Sequence, residues 1–131
     1  GQLGGKEFRD GDWQGFWNTH IDITIDLEKE THFDSIGVHF YQYINSWIFS
    51  PIEIAFNVSN DSINWTNFGT IKKEDHISKR GKIIDEFSIF NSSKKSYRYI
   101  NLVATPLKVI PDWHEAAGNS TWLFVDEIIV R

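Results

Sequence analysis

The sequence has no cysteine, which excludes a disulfide framework, a thiolate metal site and a cysteine nucleophile. It has no basic run longer than the pairs Lys72-Lys73, Lys79-Arg80 and Lys94-Lys95, and its formal net charge is -5. The electrostatic footprint of a nucleic-acid partner is therefore missing, as is the polybasic patch that anionic membrane surfaces attract. No apolar stretch approaches the ~20 residues of a membrane helix. The start, Gly1-Gln2-Leu3-Gly4-Gly5, lacks the charged-then-apolar order of a signal peptide. Residues 1–7 read as a linker left from a longer protein or a cloning remnant, and 8–131 as one domain.

What is present suffices for a packed interior. Of 131 residues, 40% are hydrophobic and 15% aromatic, well outside the composition that stays disordered. Apolar and polar residues alternate strictly from Ile21 to Leu27, the pattern of a strand with one face packed and one solvated. The alternation returns from Ile36 to Phe40 and from Ile52 to Val58, where Pro51 stands at a strand start that does not need its missing donor. Ile83 to Phe90, Tyr97 to Ala104 and Trp122 to Val130 are rich in β-branched and aromatic residues. Ser59-Asn60-Asp61-Ser62 and Asn91-Ser92-Ser93 are turn formers between such segments. No segment keeps helical spacing over three turns. The expectation is an all-β jelly-roll sandwich of about eight antiparallel strands, with a closed barrel as the alternative. Four longer irregular stretches, Phe8 to Asn18, Tyr41 to Ser50, Lys72 to Lys82 and Pro106 to Thr121, are where function is expected.

Two loops carry residues suited to chemistry. Asp10-Gly11-Asp12 places two carboxylates about a glycine, a way to gather oxygen ligands for Ca2+, though the rest of an EF-hand is absent and such a tripeptide is also an ordinary turn. Asp112-Trp113-His114-Glu115 begins like a zinc-protease helix, but Gly118 stands where the second His would fall, so that motif fails. No nucleophile with a base, and no pair of carboxylates, can be placed in one site, which argues against an enzyme.

A sugar site needs flat apolar surface for the ring's C–H face beside a few fixed polar groups. Asp112-Trp113-His114 fits that need, and so does Tyr41-Gln42-Tyr43-Ile44-Asn45-Ser46-Trp47. The competing use of these aromatics is to plug the ends of the sandwich as core. Six Trp exceed what one core of this size requires, so some are expected at the surface. The other histidines, 20, 32, 39 and 76, read as solvated or hydrogen-bonded rather than ligating. The Asn-x-Ser/Thr triplets, among them Asn57-Val58-Ser59 and Asn119-Ser120-Thr121, arise by chance in a chain rich in Asn and Ser.

Several segments in order carry a resemblance. They are Asp10-Gly11-Asp12 with Phe16-Trp17, Ile23-Thr24-Ile25-Asp26-Leu27, Ser46-Trp47 to Pro51, Phe56 to Trp65, Tyr97 to Leu102 and Asp126 to Val130. Together they resemble the discoidin or coagulation-factor C-type, galactose-binding-like family. Trp13-Gln14-Gly15-Phe16, Pro111-Asp112-Trp113-His114 and Trp122 to Glu127 are similar to the C-terminal modules of bacterial β-hexosaminidases (chitobiases). The resemblance implies a non-catalytic carbohydrate-binding module of a secreted, periplasmic or cell-surface bacterial glycoside hydrolase. Its expected partners are a glycan and the catalytic domain of the same polypeptide, as a monomer with no membrane insertion. It also implies a structural Ca2+ held by Arg9 (carbonyl), Asp10, Asp12, Gly15 (carbonyl) and Glu127, with Gly15 standing where a Thr often supplies a hydroxyl. The implied sugar-binding residues are Gln42, Asn45, Trp47, Trp113 and His114, with Asn18 as a further candidate. A purely structural or interaction domain that packs on the hydrolase is the alternative, and lipid or cell-surface protein binding, as in some eukaryotic members, is disfavoured by the charge.

Overall fold

The computed structural model describes residues 14–72 and 81–131, with the side chain of Glu127 outside that description. Eight strands follow one another: β1 (Gln14–Trp17), β2 (Ile21–Thr31), β3 (Ser35–Gln42), β4 (Glu53–Ser59), β5 (Thr66–Lys72), β6 (Ile83–Phe90), β7 (Tyr97–Thr105) and β8 (Trp122–Val130). One 3-10 turn, Ile44–Ser46, lies between β3 and β4. The strands form two four-stranded sheets, in the orders β1-β8-β3-β6 and β2-β7-β4-β5, with every neighbouring pair antiparallel. The jelly-roll expectation holds, and a single closed barrel does not describe the molecule.

Alternation explains the packing. In β4 the buried residues Ile54, Phe56 and Val58 take one face, and in β7 Ile100, Leu102 and Ala104 do the same. They meet Ile36, Val38 and Phe40 of β3, Phe87 of β6, and Leu123 and Val125 of β8 in one core. Phe40 and Phe87 pack edge to face with centroids 5.7 Å apart, the arrangement that the aromatic quadrupole favours. Where the two edge strands β5 and β6 approach, Gly69 faces Ile89 so closely that a Cβ would run into its Cδ1, so any larger residue there would force Ile89 to shift.

Two strands lie inside or beside segments that composition marks as irregular. β1 has four residues and exists because it pairs in register with β8, Trp17 opposite Trp122. In β5 the alternation is broken by Gly69 and by an irregular register between Phe56 and Asn57 of its partner. His39 is set against Asp126: its ring Nδ1 lies 3.3 Å from the carboxylate without a hydrogen bond to it, and Asp126 accepts the His39 backbone N–H.

Antiparallel connection gathers loops at two ends of the sandwich. Loops 18–20, 43–52 and 106–121 share one end, and loops 32–34, 60–65 and 91–96 share the other. At the second end Asp61 shapes the β4–β5 turn. Its carboxylate accepts the backbone N–H groups of Asn64 at 2.8 Å and Ile63 at 2.9 Å, the Asn64 side-chain amide and the Ser59 hydroxyl. These bonds, the Asn64 backbone first, hold Asp61 well below the usual carboxylate range. A depressed folded-state value means the turn's contribution is complete above the unfolded-chain value of about 3.9 and fades as pH falls through the folded value. The melting midpoint of Asp61→Ala is therefore expected to lie below that of the wild type near pH 6, with the gap shrinking as pH is lowered toward about 2. A gap that stays constant over that range contradicts this account of the turn.

Candidate functional site

At the first loop end, sequence places three indoles together. Phe16 and Trp17 are adjacent on β1, so they point to opposite faces, Phe16 against the core and Trp17 outward. Trp17 is 43% exposed. Its ring stacks on Trp47, with centroids 6.2 Å apart and planes at 26°, and leans on Trp122 at 5.2 Å. Gly15, two residues earlier on the same face, lies over Phe124, where a Cβ would come within 2.7 Å of the ring. Glycine at that position is thus accounted for by close packing, whatever its carbonyl does.

Trp47 is held where it is. It follows the 3-10 turn in a left-handed conformation, φ 65, uncommon for a bulky residue. Its N–H donates to Ile44 O, and its carbonyl accepts the Trp122 N–H at 2.8 Å. Tyr43 and Ile48 close the turn by a β-bridge. Asn45, inside the turn, is exposed. Asn18 sits next to Trp17, exposed and left-handed, φ 53, with its N–H donating to Thr121 O. The surface so formed is an indole platform with amide side chains at its edges, the apolar-plus-polar pattern that suits a pyranose.

Two of the expected ligand residues are not on this surface. Gln42 is 0% exposed, and its carbonyl oxygen accepts the Ser50 N–H at 3.1 Å, so it closes the 43–50 loop from inside. His114 is 3% exposed. Its Nε2 lies 2.8 Å from Ile44 O and its Nδ1 accepts the Ala116 N–H at 2.9 Å, which fixes the neutral tautomer with the proton on Nε2. Both are corrections to the sequence reading: polarity in an aromatic loop suggests a ligand contact, but distant backbone groups have taken these atoms. His114 instead ties the 106–121 loop to the turn that carries Asn45 and Trp47, and the same join is lined by Ile44, Phe49 and Ile110. Trp113, beside it, is 46% exposed, with its ring edge-on to His114. Sequence reading named Trp47, Asn45, Asn18 and Trp113 but passed over Trp17, the indole at the centre of the stack. The signal was its pairing with Phe16, an inward and outward aromatic in succession.

Of the calcium set, Arg9, Asp10 and Asp12 lie outside the described residues, as does the Glu127 side chain. Among the described residues no three His, Asp or Glu side chains gather as a metal site.

No family model matches the chain, and no curated protein matches it. Solved structures do. The module CBM32-1 of a family 31 glycoside hydrolase from Clostridium perfringens is similar over 99% of this chain and 87% of its own, at 17% identity and TM-score 0.59. The CBM32 of AlyQ, in complex with 4,5-unsaturated mannuronic acid, covers 98% and 88% at 15% identity and TM-score 0.54. The C-terminal domain of a chitobiase from Bacteroides fragilis is more distant, at 20% identity and TM-score 0.46. The alignment covers 86% of this chain and 66% of that domain, so the chain spans just under two thirds of its length. The two-sheet sandwich described above is therefore the fold of solved CBM32 carbohydrate-binding modules.

Proposed function

We propose that this chain is a non-catalytic carbohydrate-binding module that takes a pyranose on the Trp17–Trp47 surface, with Asn18 and Asn45 meeting its hydroxyls. The observation that carries the reading is the half-exposed Trp17, stacked on Trp47 and backed by Trp122 at the loop end of the sandwich. Stacking on indole supplies the attraction, while exposed hydroxyls give up good hydration, so a single site binds weakly, with Kd of about 0.1–1 mM, and several sites on one glycan supply avidity. The AlyQ module is solved with a sugar acid bound, and the fold is shared with it. The wider reading is a module of a secreted or cell-surface bacterial glycoside hydrolase, such as a β-N-acetylhexosaminidase, that holds the enzyme near its glycan.

Isothermal titration against galactosides, N-acetylhexosamines and acidic glycans tests the proposal. Saturable binding of at least one class is the expected result. A folded chain that binds none of them contradicts it and favours a domain that only packs on its catalytic neighbour. The structural Ca2+ at Arg9, Asp10, Asp12, Gly15 and Glu127 belongs to the same proposal. Chelation is expected to remove RT ln(1 + [L]/Kd) of stabilisation and so lower the melting midpoint, and an unchanged midpoint removes calcium from the proposal.

A further inference from the structure

The opposite end of the sandwich holds a cavity that the tryptophan surface does not use. It lies between β5 and the β6–β7 turn and has a volume of about 290 Å³, at the small end of ligand sites and enough for one sugar ring rather than a chain. We infer that this cavity is a second saccharide site, for the terminal pyranose of a glycan.

The floor is aromatic and rigid. Phe68 and Tyr97 line it, set edge to face at 88° with centroids 6.3 Å apart. Phe33 buttresses both from the core, at 5.7 and 6.1 Å. Phe90, the last residue of β6, forms one wall and is 78% exposed, so its ring is open to a ligand. Apolar surface of this kind meets the C–H face of a pyranose.

The rim is polar and divides into two kinds of group. Asn91 is spent on the turn itself: its amide donates to Phe33 O at 2.9 Å and Lys95 O at 3.0 Å, and its oxygen accepts the Ser93 hydroxyl. It builds the wall and does not read the ligand. Asn67 is likewise spent: its amide donates to Thr70 Oγ1 at 3.2 Å and to Asn57 Oδ1 at 3.4 Å. Ser92 and the Tyr97 hydroxyl, the latter 3.5 Å from Ser93 Oγ, are the groups left to meet sugar hydroxyls. Among the described lining residues Lys95 alone is charged. A sugar carboxylate is therefore favoured here and an ammonium disfavoured, against the chain's overall charge of -5.

This inference is independent of the Trp17–Trp47 reading, since the two sites lie at opposite ends. The test is amide-detected NMR titration with methyl glycosides of a hexuronic acid, a neutral hexose and a hexosamine. Saturable shifts are expected at residues 91–97, retained in Trp17→Ala and weakened about fivefold in Phe90→Ala. The hexuronate is expected to bind about threefold or more tighter than the hexosammonium ion, with that order reversed in Lys95→Glu. No saturable shift at residues 91–97 with any of the three sugars overturns the inference. So do shifts that vanish in Trp17→Ala and persist unchanged in Phe90→Ala, because they assign all binding to the tryptophan end.

Discussion

Replacing Trp17 with alanine is expected to weaken glycan binding at least tenfold, about 1.4 kcal/mol, while leaving the chain folded. The indole is 43% exposed and stands on the short edge strand β1, so its removal opens no cavity in the main core. What is lost is the centre of the stack: Trp47 loses the ring lying against it and Trp122 loses its cover. An aromatic pair is worth about 0.5–1.5 kcal/mol beyond its buried area, and the stacked sugar face is lost with it. Asn18→Ala leaves the stack intact and removes one polar partner, so a smaller loss, about twofold to fivefold, is expected there. If Trp17→Ala binds as the wild type does, the platform is not the site.

The second large effect is on stability. His114→Ala removes a buried ring that packs on Phe49 and bonds two backbone groups, the Ile44 carbonyl, which keeps the Trp47 N–H, and the part-buried Ala116 N–H. The two lost hydrogen bonds, at about 1 kcal/mol each, and the space left by the ring give an expected total of about 2–4 kcal/mol in urea denaturation. His114→Gln can restore one of the two bonds and is expected to recover part of the loss. Because this ring joins the loop bearing Trp113 to the turn bearing Trp47, the alanine variant is also expected to bind glycan more weakly without having lost a ligand contact. A change below about 1 kcal/mol contradicts the positioning role.

The legibility of the fold followed the physics of each segment. β2 and β4 bury one face, and the core demands the period-2 pattern that shows in Ile21 to Leu27 and Ile52 to Val58; β3 shows it in Ile36 to Phe40, although Gly37, Tyr41 and Gln42 are buried as well. β1 carries no such signal in four residues, and its existence depends on a register with β8 more than a hundred positions away. β5 is interrupted by Gly69, whose need arises only where Ile89 of β6 comes close. At the tryptophan end, sequence singled out these loops because aromatic residues in irregular segments are informative by type alone. It misassigned Gln42 and His114 because burial is set by partners that local sequence does not name, Ser50 in one case and Ile44 in the other. The cavity at the far end is assembled from residues between Val58 and Tyr97, and of these only the turn formers Asn91-Ser92-Ser93 stand out in the sequence. Asp61 shows the reverse case: Ser59-Asn60-Asp61-Ser62 reads as a turn because its hydrogen bonds are local, and the structure makes them.

The central claim is that glycans bind at the tryptophan end of this sandwich. The most direct test is to follow the six indole N–H resonances while titrating the Phe90→Ala variant with a glycan that titration calorimetry shows to bind. The account predicts saturating shifts of the Trp17 and Trp47 indoles at one common Kd, with Trp65, at the other end, unmoved. Saturable binding that leaves the Trp17 and Trp47 indoles in place contradicts it.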